Sequence, residues 1–389
     1  MKLHKNIYLW YLTTFFSYAA FTLPIWVIFN TEVLGLSNTE AFLLGVLPYG
    51  LSAIFEIPTG SWSDRFGRAR TYQLGTILYV LSVASYIFFA DFYVLLFFQV
   101  LGGLGLAMQS GGLEALVHDS ISGKDKDVLY STVHGRKMAI LFVSRVLTVL
   151  LSGLMYGIDP KLPFVVATVT YTIGLVISLF FKEVRLETPT EVSSLNHIKE
   201  TFSLILEKKT LVLFFWLVAL YSFFSEALFA LYQPYFKSID IQIGQFGIFY
   251  AIISAFSALG ALSVTGLAKK HNAFRIMLIM LVSVLFTLGV MLLKVPSLIY
   301  FAIIPSAVAF GYLMTLQNTI TQKLVSSKHQ ATAVSIASFV RTFAFLVSVV
   351  ALGITLDFLS VPNVNLFLTI LTAIFCVPFI VSLRRKVAV

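Results

Sequence analysis

The sequence predicts an all-α membrane protein of twelve spanning helices in two pseudo-symmetric six-helix bundles, and three observations carry that prediction. Hydrophobic residues make up 58% of the 389 residues and charged residues only 12%, with a mean hydropathy of +0.91. Soluble domains hold about 45–50% apolar and about 25% charged residues. Twelve apolar segments each approach the roughly 20 residues that a bilayer crossing needs. The lysines and arginines gather at alternate ends of those segments. This composition excludes a soluble enzyme, a disordered chain and a disulfide-stapled secreted module. The single Cys376 allows no intramolecular disulfide and no cysteine-based metal site.

The expected spans are 7–30, 40–62, 72–90, 92–119, 133–157, 163–181, 210–236, 244–268, 274–293, 298–322, 331–356 and 362–383. The first is too long for a signal-peptide core and no small-x-small cleavage site follows it, so it is read as a spanning helix. The longest polar stretch, 182–209, falls after six spans and before six. It is read as a cytoplasmic linker between an N-terminal bundle, 1–181, and a C-terminal bundle, 210–389. With a cytoplasmic N-terminus, three cations lie in outer loops (Lys161, Lys237, Lys294) and two within spans (Arg145, Arg341). The other 22 of the 27 lie in inner loops and helix ends, as the positive-inside rule requires. The C-terminus is then cytoplasmic too. The net charge of +9 is topological, and nucleic acid is not an expected partner.

Spans 5 and 11 repeat one another. Arg145, Ser152 and Gly157 recur as Arg341, Ser348 and Gly353 at a constant offset of 196. Two parallel six-helix repeats around a midplane site are a known transporter plan. Charges in hydrocarbon are costly and face an interior cavity or one another. Apart from Arg275 at the very end of span 9, spans 3, 6, 9 and 12 carry none and are expected on the outside of the bundle. The interior candidates are Glu56, Glu114, Asp119, Arg145, Glu226 and Arg341. Glu56, eight residues before Asp64, lies roughly 12 Å inside the membrane, with Arg145 at a similar depth.

Absent motifs bound the chemistry. No G-x-x-x-x-G-K-[ST] is present, so ATP is not the expected energy source. Gly102, Gly103, Gly105, Gly111 and Gly112 follow no strand and read as close helix packing rather than a dinucleotide loop. The six histidines lie near the cytoplasmic face without H-x-x-x-H spacing, and no metal site or catalytic triad is expected. The chain is not read as an enzyme.

Between spans 2 and 3 stands Gly60-Ser61-Trp62-Ser63-Asp64-Arg65-Phe66-Gly67-Arg68-Ala69-Arg70. This resembles the signature loop of the major facilitator superfamily, G-x-x-x-D-[RK]-x-G-[RK]-[RK], at the position that family uses. Gly60 permits close helix contact and Gly67 the positive φ of a tight turn. Asp64 can accept from Arg68 and from helix-end amides. The resemblance implies a cytoplasmic gate of Gly60, Asp64, Arg65, Gly67 and Arg68, completed by an acidic residue at the end of span 4, which Asp119 matches.

The chain is also similar to the bacterial drug:proton antiporter-like permeases of that superfamily, but departs from them. Gln99 stands where that branch carries an arginine, span 5 lacks its glycine–proline motif, and the loop from Gly266 has lost the acidic residue. The resemblance implies a proton-coupled secondary transporter with alternating access, exporting a lipophilic or drug-like molecule. It would sit as a monomer in a bacterial plasma membrane, with the proton gradient as energy source and no cofactor. Its partners are then a small-molecule substrate, protons and the bilayer. An uptake symporter, a lipid flippase and a non-transporting receptor are the alternatives. Glu56, Glu114 and Glu226 are candidates for proton or substrate binding, or for ion pairs, for example with Arg145. Arg145 and Arg341 divide between binding a substrate anion, controlling a nearby carboxyl, and structural pairing. Tyr18, Trp26, Tyr221, Phe224 and Tyr232 are expected to line the cavity.

Overall fold

The computed structural model describes residues 4–110, 112–121, 126–184, 195–267, 273–326 and 329–387. Among these residues every regular element is helical. In chain order they are α1 (Lys5–Ser17), α2 (Trp26–Ile28) running into a π-turn (Phe29–Val33), α3 (Asn38–Phe66), α4 (Arg68–Phe88), α5 (Phe92–Gln109) and α6 (Gly112–Asp119). There follow α7 (Lys126–Ile158), α8 (Leu162–Ser178), α9 (Leu195–Glu207), α10 (Lys209–Ser238) and α11 (Ile243–Leu267). The last four are α12 (Ala273–Met291), α13 (Pro296–Leu324), α14 (Gln330–Phe358) and α15 (Val361–Val387). Seven helical stretches among the described residues are long and apolar enough to cross a membrane, and three apolar helices are shorter. The chain is a membrane protein.

The first expected span, 7–30, is not one helix. It breaks from Tyr18 to Ile25, at Pro24 and the residues before it. Proline supplies no N–H and clashes with the preceding turn. Backbone freed in an apolar setting must find partners inside the protein. Here the Ala20 N–H donates to Thr148 Oγ1 at 2.8 Å and the Tyr171 hydroxyl donates to the Ala19 carbonyl at 2.6 Å. One turn earlier, the Ser144 hydroxyl donates to the Phe15 carbonyl at 2.6 Å. Three side chains of α7 and α8 thus hold the break open.

The glycine run of span 4 does what close packing requires. A Cβ on Gly105 would lie 2.6 Å from the Gly75 carbonyl oxygen, and one on Gly75 would lie 2.6 Å from that of Gly105. A Cβ on Gly103 would meet Leu51 Cβ at 2.7 Å. Gln99 is buried and donates from Nε2 to the Ser82 carbonyl at 3.4 Å. At Gly60 the expected close contact does not occur, because a Cβ there would meet nothing within 4 Å. On α3 the close approach falls instead at Pro48 and Leu51, against Gly103 of α5.

The described chain falls into two compact units. Unit 1 comprises Met1–Leu36, Leu44–Val192 and Ile243–Ala251. Unit 2 comprises Ser37–Leu43, Ser193–Gln242 and Ile252–Val389. In unit 1 a Cβ on Gly153 of α7 would lie 2.5 Å from the Ile243 carbonyl oxygen, so α7 and the start of α11 touch through backbone. In unit 2 Gly353 of α14 meets Asn38 and Thr39 in the same way, at 3.0 Å. The repeat partner of Gly353 is Gly157, around which a Cβ would be free. The close approach has therefore moved one turn along α7. The unit 2 contact is completed by Asp357, whose Oδ1 accepts from the Asn38 N–H at 2.8 Å and whose Oδ2 accepts from the Thr39 N–H at 3.0 Å. Asp357 is thus the N-terminal cap of α3, supplied from α14.

The polar stretch 182–209 is not wholly irregular. It contains α9, which packs on α10 and α14. Buried Thr201 shares a 2.7 Å hydrogen bond with His329 Nδ1, and Lys208 Nζ donates to the Leu324 carbonyl at 2.9 Å.

Candidate functional site

Unit 1 holds two charged clusters, one at the motif loop and one deeper between α1, α6 and α7. α3 ends at Phe66 and α4 begins at Arg68, and the residue between them, Gly67, has φ +101°. Glycine alone takes that conformation without strain. Gly67 occupies the cap position of α4 but has no side chain to offer. Glu183 supplies it, with Oε1 accepting from the Arg68 N–H at 2.8 Å and Oε2 from the Ala69 N–H at 3.0 Å. The carboxylate also meets the positive end of the α4 dipole.

The Arg68 guanidinium turns the other way and pairs, through Nη1, with Asp119 Oδ2 at the end of α6. Lys126 Nζ lies 3.7 Å and His118 Nδ1 3.3 Å from Asp119 Oδ1. Buried Asn6 holds these ends together. Its Nδ2 donates to Ser120 Oγ at 2.9 Å and to the Lys182 carbonyl at 2.8 Å, and its Oδ1 accepts from the Lys182 N–H at 3.0 Å. That places Asp119 and Glu183, one residue away on either side, against the same arginine. Arg65 is exposed in the last turn of α3. The Asp64 side chain and the loop residues 268–272 lie outside the described residues.

The deeper cluster centres on Lys137. Its ammonium donates to Glu114 Oε1 at 3.1 Å, and its Nζ lies 5.4 Å from the ring centroids of both Trp10 and Tyr18. The Lys137 side chain is only 7% exposed, whereas that of Glu114 is 44% exposed. His134 Nε2 stands 3.7 Å from the same carboxylate oxygen. The Trp10 and His134 rings are 6.1 Å apart, and Tyr130 lies 5.9 Å from His134. Glu114 therefore meets Lys137 and His134, one turn apart on α7, rather than Arg145. Arg145 lies two turns further along α7, within electrostatic reach of Tyr171. Lys137 is a second cation in span 5, and it is buried. The sequence reading counted it with the helix ends, because the span was expected to start at 133 and α7 starts at Lys126.

The remaining candidates are dispersed. Glu56 is exposed on α3 and accepts from the Ser110 hydroxyl at 3.3 Å. In unit 2 Glu226 and Arg341 lie close enough for their charges to interact, with Tyr221 beside Glu226. Tyr221, Phe224 and Tyr232 are buried on α10. Tyr232 stacks on Phe236 with centroids 5.6 Å apart. Trp26 packs over Gly45, and Tyr18 is half exposed. Among the described residues no group of three or more His, Cys, Asp or Glu is placed to hold a metal ion.

A family model described as Major Facilitator Superfamily matches residues 10–349. The chain belongs to that superfamily. A relative from Bacillus subtilis (strain 168), described as an uncharacterized MFS-type transporter YxaM, is 21% identical over 252 residues, 62% of this chain. The chain spans about six-tenths of that relative's length, 61%. Among solved structures, the nucleoside transporter NupG superposes with a TM-score of 0.81 at 11% identity, covering 98% of this chain and 99% of its own. A D-xylose-proton symporter gives 0.67 at 14% identity, covering 95% and 96%. At such identities the likeness shows the fold alone, a major facilitator transporter fold. Membership implies a membrane-embedded, multi-pass protein.

Proposed function

We propose that this superfamily member is a proton-coupled secondary transporter of a lipophilic or drug-like small molecule, working by alternating access in a bacterial plasma membrane. It acts as a monomer of twelve spans with both termini cytoplasmic. The proton gradient supplies the energy, without a cofactor. One observation carries this reading. Glu114 is a carboxylate with a partly exposed side chain, and it neutralises a buried cation, Lys137. Such a group takes up a proton only when something else changes around its partner, which is the requirement for coupling.

The direction of transport has two readings. The resemblance to the drug:proton permeases implies export in exchange for protons. Uptake together with protons is favoured by the Glu114–Lys137 pair, since protonation there frees a binding group rather than occupying one. The test is substrate flux in proteoliposomes with an imposed pH gradient, screened across dyes, drugs, sugars and lipids. Accelerated flux down the proton gradient supports coupling, and the sign of the response separates export from uptake. Flux that ignores the gradient removes proton coupling. No flux for any class favours a receptor.

A further inference from the structure

We infer that Lys137 is the binding group for an organic anion, and that the substrate is a lipophilic organic acid which replaces Glu114 as the counter-charge of Lys137. This deepens the reading above and rests on it for the role of Glu114. The Lys137 ammonium is buried in α7 against two aromatic faces and one carboxylate oxygen. Ring faces attract a cation but carry no net charge. Among the described residues, Glu114 holds the only carboxylate within ion-pair distance of Lys137. Protonating Glu114 leaves a buried cation without compensation, which is strongly unfavourable. An anion that arrives with the proton restores neutrality. Proton and anion therefore bind better together than either does alone.

A substrate cation gains nothing here, because it would compete with Lys137 for Glu114 and leave Lys137 unpaired. A neutral substrate does not answer the charge that protonation exposes. The walls suit a lipophilic body, with Trp10 and Tyr18 over Lys137 and Tyr130 beside His134. Tyr18 also begins the break in the first span, and interrupted helices at membrane depth line binding sites in transporters. The groups facing Glu114 are Tyr18, just past the end of α1, and Lys137, His134 and Tyr130 from α7. On α6 itself stand His118 and Asp119, the latter paired with Arg68 of α4.

The test is calorimetric binding to the purified full chain of 2-naphthoate, 2-naphthamide and 2-naphthylmethylammonium, an acid, amide and amine of similar shape. Octanoate and octylammonium repeat the comparison without an aromatic ring. At pH 6 the acids should bind at least tenfold more tightly than their amide or amine counterparts. Their affinity should fall towards tenfold per pH unit between pH 6 and 8, because one proton is taken up with the anion. Glu114→Gln should remove that slope and bind the acids at least tenfold more tightly than wild type does at pH 6, while His134→Gln retains a slope. Lys137→Gln should abolish the preference for the acid, and Lys137→Arg should keep it with a monodisperse protein. Equal binding of the three naphthalene compounds, preference for the amine, no binding of either acid, or an unchanged preference in Lys137→Gln each overturns the inference. Binding needs no gradient. Gradient-independent flux with Lys137-dependent acid binding would remove proton coupling and leave the anion site. Gradient-driven flux without preference for the acid would do the reverse.

Discussion

Asp119 collects two cations, Arg68 and Lys126, and the His118 ring around a side chain that is only 8% exposed. A buried charge of that kind leaves its partners uncompensated when it is removed. Asp119→Asn should therefore lower transport by about tenfold or more while the protein still inserts and purifies; transport within about twofold of wild type would refute a gate role. Glu183 acts differently, as a cap. Glu183→Ala should cost about 1 kcal/mol, visible as a small drop in the melting temperature of the detergent-solubilised protein. Asp119 was legible in the sequence because the motif loop and the end of span 4 point to each other. Glu183 was not, since a cap supplied from 115 residues away leaves no local pattern. Lys137 was hidden by the helix start. Eleven residues, or three turns, separate it from Lys126, so it lies well inside α7 although it is only four residues past the expected start.

At the scale of elements, glycines of the same composition do opposite things. Gly105 lies against the carbonyl of Gly75, where even a methyl group must displace a backbone. Gly105→Ala should destabilise by about 1–3 kcal/mol through overpacking of α4 on α5. Gly157→Ala, with free space around the new methyl, should be neutral or stabilising by up to about 1 kcal/mol. Thermal unfolding of both variants checks the contrast, and equal effects would contradict the packing described. The sequence foretold close packing for the glycine run but could not tell which glycine of the 196-residue repeat carries the contact. That depends on the angle at which a neighbouring helix arrives. The break in the first span was equally hard to read, because its aromatic and aliphatic residues match a continuous membrane helix and only Pro24 argues against one.

For the whole molecule, hydropathy and the motif loop were enough to reach the right family, because the bilayer dictates the first and the tight α3–α4 turn at Gly67 leaves its mark in the second. The composition of the two compact units was not legible. Ser37–Leu43 groups with unit 2, although it lies among the first spans in sequence. Asp357 is one of its anchors there, accepting from Asn38 and Thr39. Asp357→Ala should raise the labelling rate of a cysteine placed at Ser37 by about threefold or more, as expected for loss of a cap worth roughly 1 kcal/mol. An unchanged rate would show that the glycine contact alone holds this end.

The interruption at Tyr18–Ile25 also sets a timetable for manufacture. The Ala20 N–H is satisfied by a residue 128 positions later, and the Ala19 carbonyl by one 152 positions later. A ribosome adding about 5–20 residues per second takes roughly 6 to 30 seconds to deliver them. Over that interval lipid offers the nascent segment no hydrogen bonds. The cheapest conformation for the newborn segment is a helix as continuous as Pro24 allows, and it opens only once α7 and α8 have been synthesised and come alongside. The two bonds at the break are therefore a late-assembly checkpoint, which a chain truncated before Thr148 can never pass.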